Sequence, residues 1–299
     1  MKSNCEICQN QSWKIHYFGK VRDGGFGNTV GDATVYECTI CQNRRLEDKF
    51  CVDQSIYETT EYRQKLNQDI ATEKFHETHE TMASYFASML SDFNFEGKVI
   101  ADVGCGGGHL LDAVGGKSAT RIAIEPTPNF HPGLRARGYK VFDYAENAVP
   151  DFADSVDFAF SQFVIEHVVD PVAYLRSIYR LLNDDGIAVI CTPNADDIML
   201  ELMSADYPQF FYRTVHRYYF NQRSLIEAGQ QAGFQIAKTK YLQRYKMDNA
   251  LLWLRDKRPS GNATLFPIDD ALSNLWKRRV EDIGRADCIY MIYKKSNKW

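Results

Sequence analysis

The chain has 299 residues, 44% of them apolar and 25% charged, with a formal charge of −4. This is an ordinary globular mixture, long enough for one large α/β domain and a small accessory module, and its acidic balance argues against nucleic acid as a partner held on a broad basic surface. The polar opening MKSNCEICQN has no apolar signal core and no apolar run approaches about 18 residues, so the expectation is a cytoplasmic chain with no membrane partner, whose eight cysteines are reduced thiols and metal ligands rather than a disulfide framework.

Residues 1–55 hold Cys5, Cys8, Cys38, Cys41 and Cys51, a glycine cluster in RDGGFGNTVGD and few aliphatic side chains. Such a segment cannot readily build a core of its own. Cys5-x-x-Cys8 and Cys38-x-x-Cys41 are two knuckles that can share one tetrahedral ion, and soft sulfur ligands favour Zn2+ in a structural role with no open position. The other reading is paired thiols or disulfides; Cys51 is a bystander in either. The glycine-rich stretch is expected to close the long gap between the knuckles as a loop. Residues 56–97 form a helical connector: 56–94 contain no Gly or Pro, and Met82, Tyr85, Phe86, Met89 and Leu90 recur at helical spacing. His76 and His79 are read as part of a solvated helix face.

From 98 to 299 strands and helices alternate, which predicts a parallel sheet covered on both faces, a Rossmann-like α/β fold. KVIADVG, TRIAIE, YKVF, VDFAFSQ, IAVICTPN, FQIAKTKYLQRY and CIYMIYKK read as strands. DPVAYLRSIYRLLNDDG reads as a helix capped by Asp170, with Pro171 in its first turn and Gly186 past its end. Asn221 is the expected cap of NQRSLIEAGQQAG. The aromatic stretch 197–220 interrupts the alternation and is expected to cover an acceptor; 246–285 reads as an insertion before the last strand, anchored by Trp253 and Trp276. No internal repeat is evident.

The first strand of this series runs into Gly104-Cys105-Gly106-Gly107-Gly108, where bare backbone can turn tightly and approach a ligand. A dinucleotide loop of the form G-x-G-x-x-G would need a third glycine at 109, which is His109. Asp102, two residues before the first glycine, suits a cationic amine better than a pyrophosphate. Glu125, at the end of the next strand, suits a ribose diol.

DVGCGGG followed by AIEP resembles the class I S-adenosylmethionine (SAM) methyltransferases, and the likeness continues through the EHV and DP residues of EHVVDP and VHRYYFNQRSLIEAGQQAGF, over roughly residues 80–245. It implies a seven-stranded sheet, SAM as cofactor, and Asp102, Gly104, Cys105, Gly106 and Gly108 along its methionine part, with Glu125 at the ribose and Pro126 beside the adenosine. The family's aspartate before the AE pair is replaced by Tyr144, with Asp143 one residue earlier; the Tyr144 ring and the Ala145 backbone are the expected adenine contacts. Gln162 is expected near the methyl donor, and His109 at the cofactor carboxylate or merely in the loop. His167 and His216 are candidate bases, and Glu166 a candidate metal ligand as in the ubiquinone-type O-methyltransferases. The cysteine front resembles the zinc-binding module that precedes methyltransferase domains in sugar C-methyltransferases. The implied acceptor is a small molecule, first a hydroxyl of a carbohydrate or sugar nucleotide. An RNA base methyltransferase and a catalytically silent SAM-binding scaffold are the alternatives, and a homo-oligomer is left open.

Overall fold

The computed structural model describes residues 4–65, 85–260, 263–265 and 268–295; His76, His79 and Met82 lie outside them. The strands are β1 (Trp13–Arg22), β2 (Thr29–Cys38), β3 (Arg44–Leu46), β4 (Val99–Val103), β5 (Thr120–Ile124), β6 (Lys140–Phe142), β7 (Val156–Gln162), β8 (Leu182–Pro193), β9 (Tyr218–Tyr219), β10 (Phe234–Leu242) and β11 (Cys288–Lys295). They form a four-stranded sheet, β1-β2-β3-β9, and a mixed seven-stranded sheet, β10-β11-β8-β7-β4-β5-β6. The chain divides into two compact units: the first comprises 1–51, 191–227 and 238–291, the second 52–190, 228–237 and 292–299.

In the second unit β4 pairs in parallel with β5 on one side and β7 on the other, and β5 pairs in parallel with β6. The run VIADV is apolar except for Asp102, and Ile100, Ala101, Val103 and Asp102 are all buried, as a strand covered on both faces requires. Because β5 and β7 flank β4, the chain reverses its direction of travel across the sheet there, and a crevice opens beyond the carboxyl ends of these strands. The helix Pro171–Leu181 opens as the sequence dictates: the Asp170 carboxylate accepts a hydrogen bond from Ala173 N at 2.9 Å, and Val172, Leu175, Ile178 and Leu181 are buried. It ends five residues before Gly186. The reason is that Leu182 already starts β8. Gly186 is therefore no helix stop; a Cβ there would lie 2.7 Å from Leu182 Cβ and 3.0 Å from Val156 O.

In the first unit the segment expected to be a loop is a hairpin. β1 and β2 pair antiparallel from Trp13↔Cys38 to Arg22↔Thr29, and the glycine cluster supplies the turn, where Asp23 N donates to Asn28 O at 2.9 Å. As its composition implies, this front does not bury its apolar side chains alone. Val21, Ala33, Val35 and Leu46 pack with Met199, Tyr207, Phe211, Tyr212, Tyr219 and Trp253 in one cluster, with Trp276 against its edge. β9 extends the sheet through Arg44↔Tyr219 and Arg45↔Tyr218. The 246–285 stretch carries two helices, Met247–Asp256 and Asp270–Asp282. Asn221 caps its helix reciprocally: Ser224 N donates to Asn221 Oδ1 at 3.0 Å and Asn221 N to Ser224 Oγ at 2.9 Å.

Candidate functional site

The glycine loop at the end of β4 is left-handed at Gly104 (φ +79°), Gly106 (φ +52°) and Gly108 (φ +80°). At Gly104 a Cβ would fall 2.3 Å from Val164 Cγ2, so both backbone and space exclude a side chain. Gly104 N and Cys105 N both donate to Ile124 O, at 2.7 and 3.1 Å, which locks the loop to the end of β5. Gly108 is the residue from which the helix His109–Val114 starts.

Next to the loop lies a cavity of about 350 Å³ within the second unit. Asp102, Gly104, Cys105, Gly106, Glu125, Pro126, Tyr144, Ala145, Gln162 and His167 all line it, as do His109 and Asp143. Glu125 is buried, and its carboxylate accepts hydrogen bonds from Gly106 N (2.8 Å) and Thr127 N (3.0 Å). Asp102 is 3% exposed and makes no hydrogen bond or ion pair with any described residue. Burial, and secondarily the charge of Glu125, push its pKa up to about 7. The Cys105 thiol is pushed up by the same burial and by both carboxylates. The cavity floor thus holds two carboxyl groups: the charge of Arg63, which also lines the cavity, reaches Glu125, whereas no cation among the described residues acts on Asp102.

One wall was not foreseen. The helical turn Gln54–Glu58, capped by Asp53 through Ser55 N at 2.9 Å, and the helix Glu61–Lys65 bring Gln54, Tyr57, Tyr62 and Arg63 to the cavity. Tyr57 Oη lies 2.9 Å from His167 Nδ1, and Gln54 Nε2 donates to His167 O at 2.6 Å. Thr127 Oγ1 donates to Tyr57 O at 2.8 Å, and Tyr144 Oη donates to Glu58 Oε1 at 2.6 Å. The rings of Tyr57, Tyr62 and His167 lie 4.8–5.6 Å apart. Phe163, in a left-handed conformation (φ +56°), and Phe86 add aromatic surface 5.6 Å apart. Glu166 is buried, with Oε1 4.0 Å from His167 Nε2. His216 belongs to the first unit, where its ring lies 5.8 Å from that of Tyr219.

In the first unit the four expected cysteines converge: Sγ of Cys5 and Cys41 are 3.6 Å apart, those of Cys8 and Cys38 are 3.5 Å apart, and all four lie within 4.8 Å of one another. Ligands at about 2.3 Å on a tetrahedron stand a little under 4 Å apart, whereas a disulfide needs about 2.05 Å. The knuckles are built alike. CEICQN and CTICQN repeat one pattern, with Cys5 N donating to Asn10 O (2.8 Å) and Cys38 N to Asn43 O (3.0 Å), and with Gln9 and Gln42 left-handed at φ 59° and 60°. This six-residue repeat, CEICQN and CTICQN, corrects the reading that the sequence holds no internal repeat, and it is the signal that composition alone conceals.

A sheet of this order, with a glycine loop after β4 and acidic groups at the ends of two adjacent strands, defines a class I methyltransferase fold. Residues 75–239 match the family described as "Methyltransferase domain", and the chain belongs to that family, with a class I SAM-dependent methyltransferase domain. Among curated proteins it is similar to the ubiquinone biosynthesis O-methyltransferases of Cereibacter sphaeroides (28% identity over 39% of this chain and 50% of that one) and Actinobacillus pleuropneumoniae (31% over 37% and 53%). The chain thus spans about half the length of the curated relatives it matches. Among solved structures it is similar to a chain of the complex between the Haloferax volcanii Trm112 methyltransferase activator and a methyltransferase (TM-score 0.53, 18% identity, 77% of this chain, 95% of that one). It is also similar to a SAM-dependent methyltransferase of Thermotoga maritima (0.52, 20%, 75% and 94%). At such identities the likeness is one of fold. No helix among the described residues is long and apolar enough to cross a membrane.

Proposed function

We propose that this protein transfers the methyl group of SAM to a small-molecule acceptor, most simply a hydroxyl of a carbohydrate or sugar nucleotide. The observation that carries the cofactor assignment is Asp102: a buried carboxylate lining a cavity with no partner from the described chain. A ligand that brings an ammonium group supplies the missing charge. Gly104 and Gly106 clear the approach, Glu125 receives the ribose hydroxyls, and Asp143, Tyr144 and Ala145 border the adenine. Bound there, SAM supplies a methyl group already activated on a sulfonium.

The chain's remaining task is to hold the acceptor oxygen in line, keep water out and accept a proton. His167 suits the last role. Its Nδ1 lies 2.9 Å from Tyr57 Oη and its Nε2 4.0 Å from Glu166 Oε1, so a hydroxyl and a carboxylate orient the ring that would take the acceptor proton. Tyr57, Tyr62, Phe86 and Phe163 offer flat apolar faces on which a sugar or another ring can lie. The four cysteines hold a structural zinc ion that fixes the two knuckles and leaves no coordination site for chemistry.

Calorimetric titration of zinc-replete protein with SAM and S-adenosylhomocysteine tests the cofactor half. Absence of uptake, with uptake of a nicotinamide nucleotide instead, overturns it. Isotope-labelled SAM offered with a panel of sugar nucleotides tests the acceptor half, and label transferred only to an RNA substrate overturns that.

A further inference from the structure

Arg22 closes β1, and Arg213 follows the short helix Pro208–Phe211. The two residues are direct partners in an isolated parallel bridge: Arg22 N donates to Tyr212 O at 2.8 Å and Thr214 N to Arg22 O at 2.9 Å. Partners in a bridge send their side chains to the same face, so the backbone starts both arginine side chains on one face. Neither side chain makes an ion pair or a hydrogen bond with any described residue, and the Nε of each is buried without a partner. The neighbouring carboxylate, Asp23, accepts from Thr214 Oγ1 at 2.6 Å. Burial, then the charge of Arg213, lower the Arg22 pKa to about 9, so the pair is held together against its own repulsion.

The surroundings are stiff. The Arg22 guanidinium lies over the Phe210 ring, 4.0 Å from its centroid. The Tyr219 hydroxyl accepts from Arg213 N at 2.7 Å and donates to Arg213 O at 3.1 Å. An arginine pair that served packing alone would be expected to find a carboxylate. Here two guanidinium groups on one face have no carboxylate partner among the described residues, one of them lying on an aromatic ring, and planar forks of N–H donors suit a tetrahedral oxyanion.

We infer that Arg22 and Arg213 form an anion site in the first unit that takes the phosphate or diphosphate of a phosphorylated small molecule. Its assignment to the acceptor rests on the sugar-nucleotide reading above; the site itself does not.

The test is calorimetry of the full zinc-replete chain with inorganic pyrophosphate at constant ionic strength, beside S-adenosylhomocysteine. Wild type should bind pyrophosphate at millimolar concentration or below. Arg213→Met should weaken this by at least about tenfold, while Arg213→Lys, which keeps the charge but loses the fork, should fall between. S-adenosylhomocysteine affinity should be the same in all three. If Arg213→Met does not fold, the lysine variant alone carries the comparison. Absence of pyrophosphate uptake by wild type, equal uptake by the variants, or much tighter arginine-dependent uptake of a single-stranded RNA would each overturn the assignment. Failure of S-adenosylhomocysteine to bind would instead overturn the cofactor reading and leave the anion site standing.

Discussion

Asp102 carries opposite consequences for the empty and the loaded protein. Its folded pKa, about 7, lies above the ordinary 3.8, so the folded state retains a proton that the unfolded chain releases. The associated stability is fully present below about pH 4 and is lost as pH rises through 7; a shift of this size is worth roughly 4 kcal/mol. Asp102→Asn, which cannot ionise, should therefore melt higher than wild type near pH 8 and alike near pH 4, while losing SAM affinity by about a hundredfold. Melting curves across that range check the first expectation and calorimetry the second. A variant that is no more stable at high pH would mean that the carboxylate has a partner in the empty protein. Gly104→Ala combines a left-handed φ with a 2.3 Å approach to Val164. It should cost about 2–3 kcal/mol by denaturant titration. These residues are legible in the sequence because glycine and a strand-end acid announce their chemistry locally. That Asp102 stands without a hydrogen-bond partner is not legible, since it depends on what the rest of the chain fails to bring.

At the scale of elements, the segment Gln54–Glu58 joins the cavity through bonds of long sequence separation: Tyr57 to His167 across 110 positions, Thr127 to Tyr57 across 70. Nothing periodic marks such pairings, and the aromatic run in IYETTEY reads equally well as a connector. The short pairing of β9 with β3 escapes sequence reasoning for the same reason. The Gly186 misreading has a different origin: glycine just past an apolar helix face usually ends it, and here a packing demand within β8 selects the same residue. Thr127→Val removes the bond to Tyr57 O and keeps the side chain's shape. One such hydrogen bond is worth about 0.5–1.5 kcal/mol. The variant should accordingly show faster amide exchange over 53–58 and S-adenosylhomocysteine affinity weaker by a few-fold. Unchanged exchange would mean that the segment is held by its other bonds.

For the molecule as a whole, the cysteine cluster is the feature most sensitive to its surroundings. Stripping the metal with a strong chelator should release one equivalent of zinc and lower the melting temperature by about 10 °C or more, and Cys41→Ser should do the same without chelator. Metal analysis paired with calorimetric melting decides it; a zinc-free protein of unchanged stability would refute the structural role. The first unit is assembled from three separate stretches, 1–51, 191–227 and 238–291. Val35 and Leu46 share a cluster with Tyr212 and Trp253, and Leu46 N donates to Arg217 O at 3.0 Å. A single recombination event near residue 51 would part the two knuckles from the stretches that complete their fold. The cysteine front is therefore no cassette that lineages can exchange freely: it should be inherited together with the downstream stretches, and a hybrid that imports residues 1–51 alone should be insoluble until the matching later segments are imported with it.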